Sequence, residues 1–158
     1  MAVRRISDPY DAQAILSMSA PGDVLEFMNK TYYLDAENFK LKNHQTLVFN
    51  DTEIDVGTYG LGIVVPINTE CIMRGKLSMP FHGVYVSSRA NLHLELRNST
   101  VSIYKGDGIT GRHAIIQGWA NGQAVNNPDR LELVHNPEAR RQPEPPVRML
   151  TRRLRSRK

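Results

Sequence analysis

From Val24 to about Gln117 the chain is a succession of short apolar runs that alternate with polar breaks. The runs start at Val24, Thr31, Phe39, Thr46, Thr52, Gly62, Cys71, Gly83, Leu92 and Thr100. Each is only a few residues long, rich in β-branched and aromatic side chains, and bounded by Gly, Asn, Asp or Ser, the pattern of short strands. Two-residue Asn-Gly or Asp-Gly turns are missing between these runs, which argues against an antiparallel meander. Ahead of them, Asp8 to Ser19 predicts a short helix. Asp8 is placed as its N-cap and Pro9 as its first residue, with Ala14, Ile15 and Met18 on one face. Ala20-Pro-Gly-Asp23 then ends it with a turn.

The strand runs repeat. One segment passes from Asn43 through Leu47, Phe49 and Ile54 to Gly62-Ile63, and a second from Asn68 through Ile72 and Leu77 to Gly83-Val84. A third passes from Asn91 through Leu94, Leu96 and Val101 to Gly108-Ile109. The matched apolar residues Ile54, Leu77 and Val101 are spaced by 23 and 24 positions. A period near the low end of the solenoid range, built from strands alone, predicts coils that stack their inward side chains into a shared aliphatic core. The expected fold is all-β: a short, single-stranded, right-handed parallel β-helix of about four coils. A β-sandwich is the alternative these runs leave open.

Open solenoid ends expose strand edges and core, so both ends need covers. The helix is placed to cap the first coil. Trp119 is the expected closure of the last one, and Leu131 to Val134 can add a further strand. The organisation predicted is an N-terminal arm and capping helix over 1–22, a β-helix domain over 23–135, and a Pro- and Arg-rich tail over 136–158. With Pro137, Pro143, Pro145 and Pro146 set among charges, that tail is expected to be disordered in isolation.

Asp11-Ala-Gln-Ala-Ile-Leu16, Ala20-Pro-Gly-Asp-Val-Leu-Glu-Phe27 and Lys30-Thr-Tyr-Tyr-Leu34 together resemble the opening of pectin-lyase-like β-helix proteins. There a capping helix leads through Pro-Gly-Asp into a strand, a short turn and Thr-Tyr. The resemblance spans roughly residues 8 to 117. It implies the parallel β-helix fold, while the superfamily's functions run from polysaccharide lyases and pectin hydrolases to epimerases, phage tailspikes and adhesins. Polysaccharide-cutting members usually carry many more coils, so four coils imply little groove and weaken the expectation of catalysis.

Charge changes the picture only at the C-terminus. Arg140, Arg141, Arg148, Arg152, Arg153, Arg155, Arg157 and Lys158 face two acids, Glu138 and Glu144. The remaining 12 basic and 14 acidic residues give the rest of the chain a net charge of −2 against +4 overall. The high pI therefore belongs to the tail. These eight cations are the candidate nucleic-acid or polyanion-binding residues, acting by counterion release and without reading sequence. No apolar run is long enough to span a membrane, and no apolar region follows the basic N-terminus as in a signal peptide. On that reading the chain is cytoplasmic or virion-associated.

The chemistry on offer is thin. Cys71 alone forms neither an intrachain disulfide nor a zinc site and reads as a buried thiol. No metal cluster and no phosphate-binding glycine loop occurs, and no cofactor is expected. Asp107, in Lys105-Gly-Asp-Gly-Ile109, resembles a hydrolase stretch, but the stacked positions Tyr59 and His82 offer no second carboxylate. Asp107 therefore reads as a turn residue. His82, Lys105, Arg112 and His113, with Arg89 and His93 nearby, are the candidate catalytic set for a lyase acting on acidic glycans. Such an enzyme needs a base and a cation beside the uronate carboxylate.

Three functions follow. The first is a non-catalytic β-helix module for binding or assembly, of virion or tail-fibre type, in contact with glycans. Such a module is expected to form a homotrimer that buries Tyr85 and Tyr104. The second is a small polysaccharide lyase, and the third is an RNA- or polyanion-binding protein acting through its tail.

Overall fold

The computed structural model describes residues 1–34, 38–56, 62–106 and 109–135. Tyr59, Asp107 and the whole tail from 136 to 158 lie outside the described residues. The chain opens with β1 (Val3–Ile6) and the helix α1 (Ala12–Met18). Coil by coil there follow β2 (Val24–Phe27), β3 (Thr31–Leu34) and β4 (Phe39–Lys40), then β5 (Thr46–Val56) and β6 (Gly62–Val65). The long bent β7 (Glu70–Val86) supplies all faces of the next coil, and β8 (Asn91–Leu96) and β9 (Thr100–Lys105) supply the last full one. β10 (Ile115–Ala120), β11 (Gln123–Asn126) and β12 (Arg130–Leu133) finish the described chain.

The fold is a β-solenoid of parallel stacked coils. Along one face β1, β2, β5, β7, β8 and β10 pair in parallel, one from each coil. Counted from Val3 the chain makes about five turns, the four expected from Val24 onward being joined by β1. Parallel registration stacks like on like, since each strand alternates inward and outward side chains. Ile6, Phe27, Phe49, Gly75, Leu96 and Ala120 fall in one inward column, and Phe39, Ile63, Val84 and Ile103 in another. All of these are buried except Gly75, which is partly exposed.

The repeat is real, but its register differs in two places. Glu53 pairs with Ser78 and Ser78 with Thr100, so the column through Ile54 passes Met79 rather than Leu77 on its way to Val101. The cause is a bulge between Phe49 and Thr52, which displaces everything after it. Likewise Gly62 stacks on Gly83 and Gly83 on Ser102, not on Gly108. In the last coil β9 runs straight across a bend that β7 makes in more residues. Ile109, which the sequence placed in the apolar ladder, is 81% exposed.

Both ends are covered, the first by the expected helix, which turns another face inward, and the second by a device other than Trp119. At the start, α1 turns Ala12, Leu16 and part of Ile15 to the core, while Met18 is 67% exposed. Asp8 builds the preceding turn, accepting from the Tyr10 amide, and Asp11 is the N-cap. At the far end strand alternation sends Ile116 and Ala120 inward, so Trp119 points outward opposite Glu95 and is about half exposed. Closure comes instead from reversed strands. Asn121-Gly122, both at positive φ, turns β10 back into the antiparallel β11, and β12 returns antiparallel on β9.

Asp23 locks the N-terminal cover. Its buried carboxylate accepts from the Ala2 amide at 2.9 Å, Arg4 Nε at 2.8 Å and the Ala20 amide at 2.8 Å. The Arg4 guanidinium first, then the two amides, hold its pKa well below the ordinary 3.8. A depressed folded-state value contributes stability that is present above the unfolded value and lost as pH falls through the folded one. Asp23→Asn should therefore lower the melting temperature at neutral pH, and the gap to wild type should narrow below about pH 4. A gap that stays constant down to acid pH would show that the carboxylate's charge is not what matters.

Candidate functional site

A cleft of about 790 Å³ lies on the last coils. It is lined by Pro80, Phe81 and His82 from β7, Ser102, Tyr104 and Lys105 from β9, and Gly111, Arg112, Asp129 and Arg130 from the closing segments. Three of the four residues proposed from sequence thus come together: His82, Lys105 and Arg112. His113 is not a wall of this cleft. It sits at positive φ on a corner shared with Arg89, whose amide bonds Arg112 O, and neither it nor Arg89 lines the cleft. His93 is elsewhere, on the outer face of β8, 3.2 Å from Glu95 and beside a smaller groove of about 240 Å³ with His44 and Gln117.

Each wall residue has a structural reason. His82 (φ 63°) occupies the bend of β7, where pairing with β9 breaks off between Ser78 and Gly83, and this carries Pro80 and Phe81 out of the ladder. Phe81 is 68% exposed at the rim. Tyr104 packs edge-on against Tyr85 at 4.5 Å, with the Arg130 guanidinium 5.9 Å from its ring centre. Burial, with Tyr85 adding to it, pushes the Tyr104 phenol up, so it remains a neutral hydroxyl at physiological pH.

Lys105 is the unusual member. Register places it above Val86, which stacks on Val65, and both valines are fully buried. A lysine therefore continues a valine column at the point where the solenoid ends. Its stem takes the apolar position and its ammonium snorkels into the cleft, leaving the side chain 12% exposed. Nζ lies 3.6 Å from Asp129 Oδ1.

The electrostatics favour an anion. Among the described residues that line the cleft, Lys105, Arg112 and Arg130 face one carboxylate, that of Asp129. Arg130 is engaged by Glu132 at 2.6 Å, and Glu132 also accepts from Ser102 Oγ at 2.7 Å. Arg112 has no ion pair among the described residues. Asp129, Arg130, Ser102 and Phe81 were not reached from sequence. The first two arrive with a return strand that no repeat announces, Arg130 on it and Asp129 in the link before it, although an exposed Pro-Phe at a strand break is a signal that could have pointed to the rim.

Elsewhere, Cys71 is buried, its thiol pushed up to about 12 by burial, and it is no reactive thiolate. Among the described residues no cluster of three or more His, Cys, Asp or Glu could hold a metal, and no helix is long and apolar enough to cross a membrane. The tail cations Arg140, Arg141, Arg148, Arg152, Arg153, Arg155, Arg157 and Lys158 lie outside the described residues. The fold and cleft define a short β-solenoid with a basic, aromatic-rimmed cleft beside its closing strands. No protein-family model, curated protein or solved structure matches the chain.

Proposed function

We propose that this chain is a non-catalytic β-helix binding module of the pectin-lyase-like kind that holds an acidic glycan in the cleft. The observation that carries the reading is the convergence of Lys105, Arg112 and His82 with the exposed ring of Phe81. Acidic sugars present both an anionic group and an apolar ring face, and cations beside an aromatic rim complement the two together. The superfamily assignment rests on the Pro-Gly-Asp entry and the coil pattern. A role in the assembly of a virion or fibre belongs to the same proposal, and the short, capped solenoid is what supports it.

The same cations offer a second reading as a lyase, with Lys105 or His82 as base and Arg112 beside the substrate carboxylate. One experiment separates them. Calorimetric titration with galacturonate and heparin oligosaccharides should show binding that Arg112→Ala weakens about tenfold, the loss of one charge-assisted contact. Neutral oligosaccharides of equal length should not bind, and ultraviolet absorbance should detect no unsaturated product. Accumulating unsaturated uronates would establish the lyase in place of the module. Absence of binding by either anionic series would remove the acidic-glycan reading.

A further inference from the structure

We infer that Asp129 is a built-in stand-in for the ligand's anionic group, seated on Lys105 and displaced when the ligand enters. This rests on the cleft being an anion site. An ammonium withdrawn from water needs a partner, and Lys105, held in an inward column, is such a group. The partner it has is oddly loose. The Asp129 side chain is fully exposed, 3.6 Å away, and belongs to the link that Asn127 (φ 53°) and Pro128 carry from β11 to β12. What anchors this link to β9 is the backbone, through the Lys105 amide donating to Asp129 O. Asp129's carboxylate can therefore swing into solvent without disturbing the pairing of β12 with β9.

The arrangement has consequences for which ligands bind. With Arg130 engaged by Glu132, an entering carboxylate or sulfate has Arg112 available and must take Lys105 from Asp129. A neutral ligand has nothing with which to replace that ion pair. Asp129 thus raises the threshold for occupancy and selects for ligands that carry an anionic group at this position.

The test compares wild type, Asp129→Asn, Lys105→Met and the double variant, with the same galacturonate and heparin oligosaccharides as probes. Asp129→Asn removes the competing charge while keeping size and backbone, and should tighten binding about two- to fivefold, the range that a partly solvated ion pair supports. In the Lys105→Met background, whose melting curve certifies the fold, Asp129→Asn should bring no gain, because the seat is gone. Wild-type binding that Asp129→Asn leaves equal or weakens would overturn the stand-in while leaving the acidic-glycan reading in place. An equal gain in both backgrounds would show only a general charge effect and would overturn it too. Failure of both wild type and Asp129→Asn to bind either probe would overturn both.

Discussion

Phe27→Ala should destabilise the protein by about 3–5 kcal/mol, the range for emptying a fully buried aromatic site. Phe27 has no exposed surface and stands at the centre of an aromatic cluster in the first coils. Tyr32 meets it edge-on at 5.1 Å, Phe39 at 6.0 Å, and Phe49 leans against it from the next coil at 5.1 Å. Around that cluster the backbone is tied as well, the Tyr32 hydroxyl donating to Ile6 O and accepting from the Met28 amide. In a solenoid each coil contacts only its neighbours, so a cavity beside the terminal coil has few atoms that could collapse into it. Urea unfolding of wild type and Phe27→Ala gives the loss directly, with Phe81→Ala as the control. Phe81 is 68% exposed, and its removal should stay within about 0.5 kcal/mol. A Phe27 loss below about 1.5 kcal/mol would mean that the first coil does not unfold with the rest.

Architecture was legible because stacking demands a periodic sequence. The inward columns need apolar residues at a fixed spacing, and coil-to-coil pairing makes that spacing visible. The Pro21-Gly22-Asp23 entry was legible for a local reason. Gly22 holds φ 87°, which side chains rarely adopt, and Asp23 must gather three donors in one place. What escaped was register after the bulge at Phe49, since an extra residue shifts a column without changing its composition. The helix face escaped for a related reason. Ala14 and Met18 have helical spacing, but Ala12 and Leu16 have it too, and only the core's position decides between the two faces.

The cleft was legible by half. His82, Lys105 and Arg112 were named because cations and imidazoles on adjacent coils can be seen in a repeat, yet the repeat also suggested His113, which faces another corner. Lys105 looks like any surface lysine until register puts it on Val65 and Val86. Asp129 and Arg130 enter at the start of a strand whose direction is reversed, Asp129 in the link just before it, and reversal is a property of the end of the solenoid rather than of its period.

Gly118→Ala tests whether that reversed end is built on β10. Gly118 pairs with Leu94 at φ 114°, and a Cβ there would stand 2.1 Å from Leu94 O, a backbone atom that cannot turn aside. The strand must therefore either strain or separate from β8, at a loss on the order of 2–4 kcal/mol for forbidden backbone plus weakened ladder bonds. The damage should be local in a way that Phe27→Ala is not. β10 carries β11 through the Asn121-Gly122 turn, and the chain then leads to Asp129, Arg130 and β12. Hydrogen exchange in Gly118→Ala should accelerate first over residues 115–135, with β2 to β5 still protected, and acidic-glycan binding should fall with it. Uniform acceleration would instead mean that the solenoid opens as one unit and that its closing strands hold no separate share of its stability.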